Sequence, residues 1–203
     1  MKKDYIWKII AGGSGGQGII TLGKSLAYAG IFKNLNVSFL PTYGAEMRGG
    51  YVFCMIILST SKLSSPVISN ANFGIFMDPY SFQLLYQKIN YETFCLWNSS
   101  IITNFAAKKS PNLGIPATEI AEKNGGIKTA NMVILGALGK IMHLNSIDMD
   151  QKSLIYGIKQ VTKNKENIKQ NIDSMTEGWN FAGKEIKKIK SHAFTKLSDP
   201  ENK

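Results

Sequence analysis

The chain has 203 residues, a hydrophobic fraction of 44% and a formal net charge of +10, which is length and apolar content enough for one α/β domain with its own core. The excess charge is lysine spread along helical stretches, densest after residue 152, without the arginine clusters or interleaved aromatics of a nucleic-acid groove. It suits a solvated face or a docking surface for an acidic protein such as a small electron carrier, and argues against nucleic acid.

In chain order, residues 7–11 are an apolar run that predicts a strand, and residues 18–29 an amphipathic helix fed by it. Residues 36–40 predict a short strand ended by Pro41, which cannot donate to a ladder. Tyr51–Ser59 is β-branched and aromatic on both faces, as in a strand covered on both sides. Residues 73–77 predict another buried strand, 79–88 a helix and 93–97 one more strand. Strands alternating with helices call for an α/β layered, mostly parallel sheet flanked by helices.

Beyond residue 98 the texture changes. Residues 106–114 read as a turn-rich connection, and Pro116 opens a helix that Gly125 and Gly126 end. Residues 131–142 are apolar nearly all round and predict a buried helix. Residues 152–162 and 165–190 predict amphipathic helices, the second broken near Gly178, so the fold carries a helical C-terminal extension. A polar tail follows from about residue 191, and no internal repeat or boundary divides residues 1–203. No run reaches the roughly 18 apolar residues of a membrane span. Asp4, Lys8 and the following glycines interrupt any signal-peptide core, so the expected location is cytoplasmic, without a membrane partner.

The densest chemical signal is the turn between the first strand and first helix, where five of the seven residues 12–18 are glycine. Gly13, Gly15, Gly16, Gln17 and Gly18 allow positive φ or close backbone approach, and N–H groups at the helix start favour an anion such as a phosphate. A ligand-free packing turn, a phosphate site and a subunit contact all fit. The pattern is neither a Walker loop nor a good dinucleotide fingerprint, because no acidic residue occurs between Asp4 and Glu46. A stand-alone Rossmann-type nucleotide-binding module, the alternative from another class, would need an acidic residue closing the second strand, and residues 39–41 offer none.

A second signal is Tyr43, Gly44, Ala45, Glu46, Met47, Arg48, Gly49 and Gly50. Arg48 is the only arginine beside 23 lysines, which points to a task needing the planar guanidinium fork, such as bidentate binding of a phosphate or carboxylate. Glu46 could equally be its internal partner. Gly49 and Gly50 let backbone pass close by. Cys54 and Cys95 are the only cysteines and lie in apolar, strand-like runs, too few for an iron–sulfur cluster or structural zinc site. His143 and His192 stand apart from any nucleophile motif, so no catalytic residue and no metal ligand is assigned.

Together the glycine turn, the stretch from Tyr43 to Gly50 and Ser64-Ser65-Pro66 resemble the gamma subunit of 2-oxoacid:ferredoxin oxidoreductases, with the 2-oxoglutarate (KorC-like) branch as the nearest match. Ala130-Asn131-Met132-Val133, Leu135-Gly136-Ala137, Asn171 and Gly178 fit the same pattern, so the resemblance covers nearly the whole chain. Ala45 stands where the family commonly has proline, and Asp78 where asparagine is common, which puts in doubt any polar role carried over to that position.

The resemblance implies a single gamma-type domain in an enzyme that joins a 2-oxoacid, coenzyme A and oxidised ferredoxin to give acyl-coenzyme A, carbon dioxide and reduced ferredoxin. It implies thiamine diphosphate, magnesium and 4Fe–4S clusters on the other subunits, none of them bound by this chain alone. Alpha and beta subunits, optionally a delta subunit, and ferredoxin are the implied partners. The turn glycines with Gln17, and Tyr43, Glu46, Arg48, Gly49 and Gly50, are then candidates for a coenzyme A phosphate site or a subunit interface. A pyruvate, ketoisovalerate or indolepyruvate enzyme is the near alternative.

Overall fold

A computed structural model describes residues 5–44, 50–106, 110–124, 126–145 and 147–187. Six strands form one sheet: β1 (Ile6–Ser14), β2 (Asn36–Tyr43), β3 (Tyr51–Ser59), β4 (Phe73–Phe76), β5 (Phe94–Asn98) and β6 (Asn112–Ile115), in spatial order β2-β3-β1-β4-β5-β6. The helices are α1 (Ile19–Phe32), α2 (Pro79–Leu85), α3 (Ala117–Asn124), α4 (Ala130–Leu144), α5 (Gln151–Val161) and α6 (Lys165–Ile186).

Strands β1, β4, β5 and β6 pair in parallel, while β3 is antiparallel to both β1 and β2. Five strands therefore share one direction and β3 alone opposes them, which makes the sheet mixed and mostly parallel. The inserted β3 also separates β2 from β1. In a Rossmann half the second strand lies beside the first and closes the ribose site, so this order departs from the stand-alone nucleotide-module expectation.

Side-chain alternation along the central strands supplies two cores. Ile9 and Ala11 of β1 with Cys54, Ile56 and Leu58 of β3 face α1 and α3 to α6, whereas Ile10, Met55 and Ile57 face the side closed by Leu85 of α2 and by loop residues such as Ile68 and Ile102. The first face carries most of the helices. Among them α4 is buried at 12 of its 15 positions, which matches a segment apolar nearly all round.

Three sequence expectations need correction. Strand β2 does not stop at Pro41 but runs to Tyr43; β2 is an edge strand, where a missing N–H need not break a ladder. The turn-rich reading of residues 106–114 hides strand β6, whose four residues pair with β5. Helix α6 runs without a break through Gly178. There the absent side chain is what packing requires, because a Cβ on Gly178 would meet the Val133 carbonyl of α4, and one on Gly136 the Met175 carbonyl of α6. The polar tail from about residue 191 lies outside the described residues.

Candidate functional site

The glycine turn begins where β1 ends. Ser14 and Gln17 close it reciprocally: the Gln17 N–H donates to the Ser14 carbonyl at 3.1 Å, and the Ser14 N–H donates to Gln17 Oε1 at 2.8 Å. Two glycines take left-handed backbone, Gly16 at φ 92° and Gly18 at φ 73°, while Gly15 does not. At Gly13 a side chain would collide with the Gln17 carboxamide and Ile19. Gln17 thus folds back over the turn as part of its frame.

Gly18 is the N-cap of α1, and no side chain caps that helix. Its first-turn N–H groups thus receive no side-chain cap, the arrangement that favours an anion. The Gly18 carbonyl accepts from Leu22 N at 2.9 Å and from Asn131 Nδ2 of α4 at 2.9 Å. A Cβ on Gly18 would lie 2.8 Å from Asn131 Cγ, so both backbone and packing exclude a side chain here.

The fold brings the second sequence signal to the first. Ser14 pairs in register with Tyr51, and the Gly15 N–H donates to the Gly50 carbonyl at 2.8 Å. Tyr43 is 63% exposed at the end of β2, and Tyr51 packs its ring 6.1 Å from that of Tyr80 in α2. Glu46, Arg48 and Gly49 lie outside the described residues, as do Ala45 and Met47.

Asp78 ties the turn to α2. Its carboxylate accepts from Ser14 Oγ at 2.6 Å and from Ser81 N at 2.8 Å, and Ser81 completes a capping box on α2 with Pro79 at the first helical position. The polar role doubted for position 78 is therefore filled by helix capping and by a tie to the turn. Neither Ser14 nor Asp78 stood among the expected site residues. Asp-Pro-Tyr-Ser carries the signal for the cap, an acceptor three residues before a serine with proline between them.

Cys54 and Cys95 lie in different cores on opposite faces of the sheet, and burial pushes both thiols up to about 12. They do not fit as thiolate ligands of a shared cluster. No cluster of three or more His, Cys, Asp or Glu able to hold a metal occurs among the described residues. His143 sits exposed on α4 with its ring 5.5 Å from Trp179, and His192 lies outside the described residues. No described helix is long and apolar enough to cross a membrane.

A family model of pyruvate ferredoxin/flavodoxin oxidoreductases matches residues 8–181. The chain belongs to this family. As a pyruvate ferredoxin/flavodoxin oxidoreductase family member it is 30% identical over 156 residues to ketoisovalerate oxidoreductase subunit VorA of Methanothermobacter thermautotrophicus, covering 77% of this chain and 32% of VorA. It thus spans about a third of that relative's length. It is also 30% identical over 158 residues to 2-oxoglutarate synthase subunit KorC of Archaeoglobus fulgidus, covering 77% of this chain and 80% of KorC. The keto/oxoacid ferredoxin oxidoreductase gamma subunit of Geobacter sulfurreducens superposes with a TM-score of 0.73 at 19% identity, covering 88% of this chain and 99% of that one. This family member therefore has the fold of that gamma subunit. The equal identity to VorA and KorC leaves the expected 2-oxoglutarate branch without an advantage in identity.

Proposed function

We propose that this chain is the gamma-type subunit of a multi-subunit 2-oxoacid:ferredoxin oxidoreductase that forms acyl-coenzyme A. The family match over residues 8–181 carries the reading. The similarity to KorC, 30% identical over 80% of its length, is the support for 2-oxoglutarate as the substrate we favour. Residues 1–203 act as one unit in this reading, beside alpha and beta subunits and with ferredoxin as the electron acceptor.

This chain's part is to bind and orient rather than to catalyse. Thiamine diphosphate, when bound on the partner subunits with its magnesium, supplies the carbanion chemistry of decarboxylation, and their clusters carry electrons. The uncapped N–H groups of the α1 first turn, framed by Gly16, Gln17 and Gly18, would receive a phosphate of coenzyme A. Arg48, carried on the stretch that ends at Gly50 beside Gly15, would grip the same phosphate with its fork. The exposed ring of Tyr43 would flank the ligand.

The experiment is to compare wild type with Arg48→Lys in the assembled enzyme. The charge is kept and the fork lost, so the apparent KM for coenzyme A should rise about tenfold while the chain's own melting temperature stays fixed. A lowered melting temperature with unchanged coenzyme A dependence would instead assign Arg48 to an internal pair with Glu46.

A further inference from the structure

Strand β2 ends the sheet, and its register identifies the backbone groups left open there. The Gly44 N–H donates to the Tyr51 carbonyl at 2.8 Å, and β2 pairs with β3 without a bulge from Asn36 opposite Ser59 to Tyr43 opposite Val52. Peptide groups alternate in direction along an antiparallel strand. Ser38, Leu40 and Thr42 therefore bond to β3, while Val37, Phe39, Pro41 and Tyr43 turn their N–H and carbonyl groups away from it. No other strand lies on that side among the described residues. Pro41 forfeits no bond to β3, and its missing N–H blunts the edge on the Tyr43 side, whereas Val37 and Phe39 keep both groups.

A groove of about 460 Å3 runs beside these two residues. Tyr28 and Ile31 of α1 wall it with Val37, Phe39 and, at the end of α5, Val161. Ile31 is 52% exposed, so this wall is apolar yet open to solvent. Lys24, one turn before Tyr28 on α1, lines the same groove, and no aspartate or glutamate does. The ion pairs of the described residues use Lys33 alone. Three demands thus meet in one place: the open ladder takes an extended backbone, the apolar wall takes alternate apolar side chains, and Lys24 takes a carboxylate. A second copy pairing through β2 meets the first two and fails the third, because β2 contains no acidic residue.

We infer that the β2 edge receives an extended segment of another subunit, which pairs its backbone with Val37 and Phe39, lays apolar side chains against Tyr28 and Ile31, and sets a carboxylate on Lys24. This rests on the multi-subunit reading proposed above and adds the face and the form of the contact. The glycine turn is not part of it, so it does not depend on where coenzyme A binds.

The test compares hydrogen–deuterium exchange, read residue by residue by mass spectrometry, in the enzyme purified from its own cells and in the chain produced alone at two concentrations. Alone, the Val37 and Phe39 amides should exchange fast at either concentration, and those of Ser38 and Leu40 slowly; in the complex Val37 and Phe39 should slow about tenfold or more. The double variant Lys24→Glu, Ile31→Asp changes two exposed side chains and should weaken reassembly with the partner subunits about tenfold or more while the chain's own melting temperature holds. A complex in which the Val37 and Phe39 amides stay fast, or reassembly by the double variant equal to wild type, overturns this inference alone. Protection of both amides in the isolated chain that grows with concentration assigns the edge to a second copy and overturns it too. A chain recovered without any partner subunit removes the multi-subunit reading and this inference together.

Discussion

Ser14 Oγ donates to Asp78 Oδ2 at 2.6 Å across 64 residues of sequence, and this bond joins the glycine turn to the cap of α2. One carboxylate thus holds the end of β1, the end of β4 and the start of α2 in a fixed relation. Asp78→Ala removes both the cap and the tie, and should destabilise the chain by roughly 1–2 kcal/mol in urea unfolding. Asp78→Asn keeps the capping oxygen and offers Ser14 an N–H in place of an acceptor, which the hydroxyl can turn to meet. It should cost well under half as much as alanine.

Gly16 and Gly15 differ in backbone conformation. Gly16 has φ 92° with open space where a Cβ would stand, so Gly16→Val should cost about 1–2 kcal/mol through conformation alone and Gly16→Asn much less. Gly15 lacks positive φ, and Gly15→Val should be milder in the isolated chain. If the turn abuts a ligand or partner, both valine variants should still reduce activity of the assembled enzyme. Equal melting of the two valine variants would contradict the backbone account.

The crossing of α4 on α6 rests on two reciprocal close approaches, Gly136 against the Met175 carbonyl and Gly178 against the Val133 carbonyl. Gly178→Ala adds a methyl where only backbone fits. Helix propensity favours alanine by about 1 kcal/mol, but overpacking against a carbonyl should win and give a net loss of roughly 1–3 kcal/mol. Circular-dichroism melts of Gly178→Ala and Gly136→Ala check the sign. A stabilised variant would mean that the helices can move apart at little cost.

Lys33, at the C-terminus of α1, bridges Asp148 at 3.0 Å and Asp150 at 2.8 Å. Burial works against the Asp150 carboxylate, but the Lys33 ammonium and the Ser153 N–H and hydroxyl outweigh it and hold the group at about 2. The bond to Asp150 raises the Lys33 pKa against opposing burial. The depressed acid stabilises the fold above the ordinary aspartate range and loses that contribution as pH falls toward 2; the raised lysine contributes below about 10.5 and is lost only above it. Lys33→Met should therefore cost about 1 kcal/mol at pH 7 and much less near pH 2, as read from unfolding free energies at both pH values.

Much of this fold is legible in particular runs of sequence. Tyr51–Ser59 reads as a buried strand and residues 131–142, within the observed α4, as a buried helix because both are apolar on nearly all sides. The direction of β3 is not legible, since a strand buried on both faces looks the same read either way. Pro41 misleads because its cost depends on β2 lying at the sheet edge, and Gly178 because its helix-breaking tendency is overridden by the contact with α4. At the site, Gly16 and Gly18 are legible as turn glycines. The Ser14–Asp78 bond and the Asn131 contact to Gly18, 113 residues apart, arise only when the chain is folded.

In the function proposed above, this chain works only as part of a larger coenzyme A-dependent oxidoreductase. The most direct measurement is to tag it in its own cells, purify it under mild conditions, and assay viologen reduction with a panel of 2-oxoacids with and without coenzyme A. The expected result is a brown complex containing partner subunits, active only when both a 2-oxoacid and coenzyme A are present and most active with 2-oxoglutarate. The same chain produced alone should be colourless and inert. A chain that purifies from its own cells without partners, or one that alone carries stoichiometric iron and oxidises a 2-oxoacid, would contradict it.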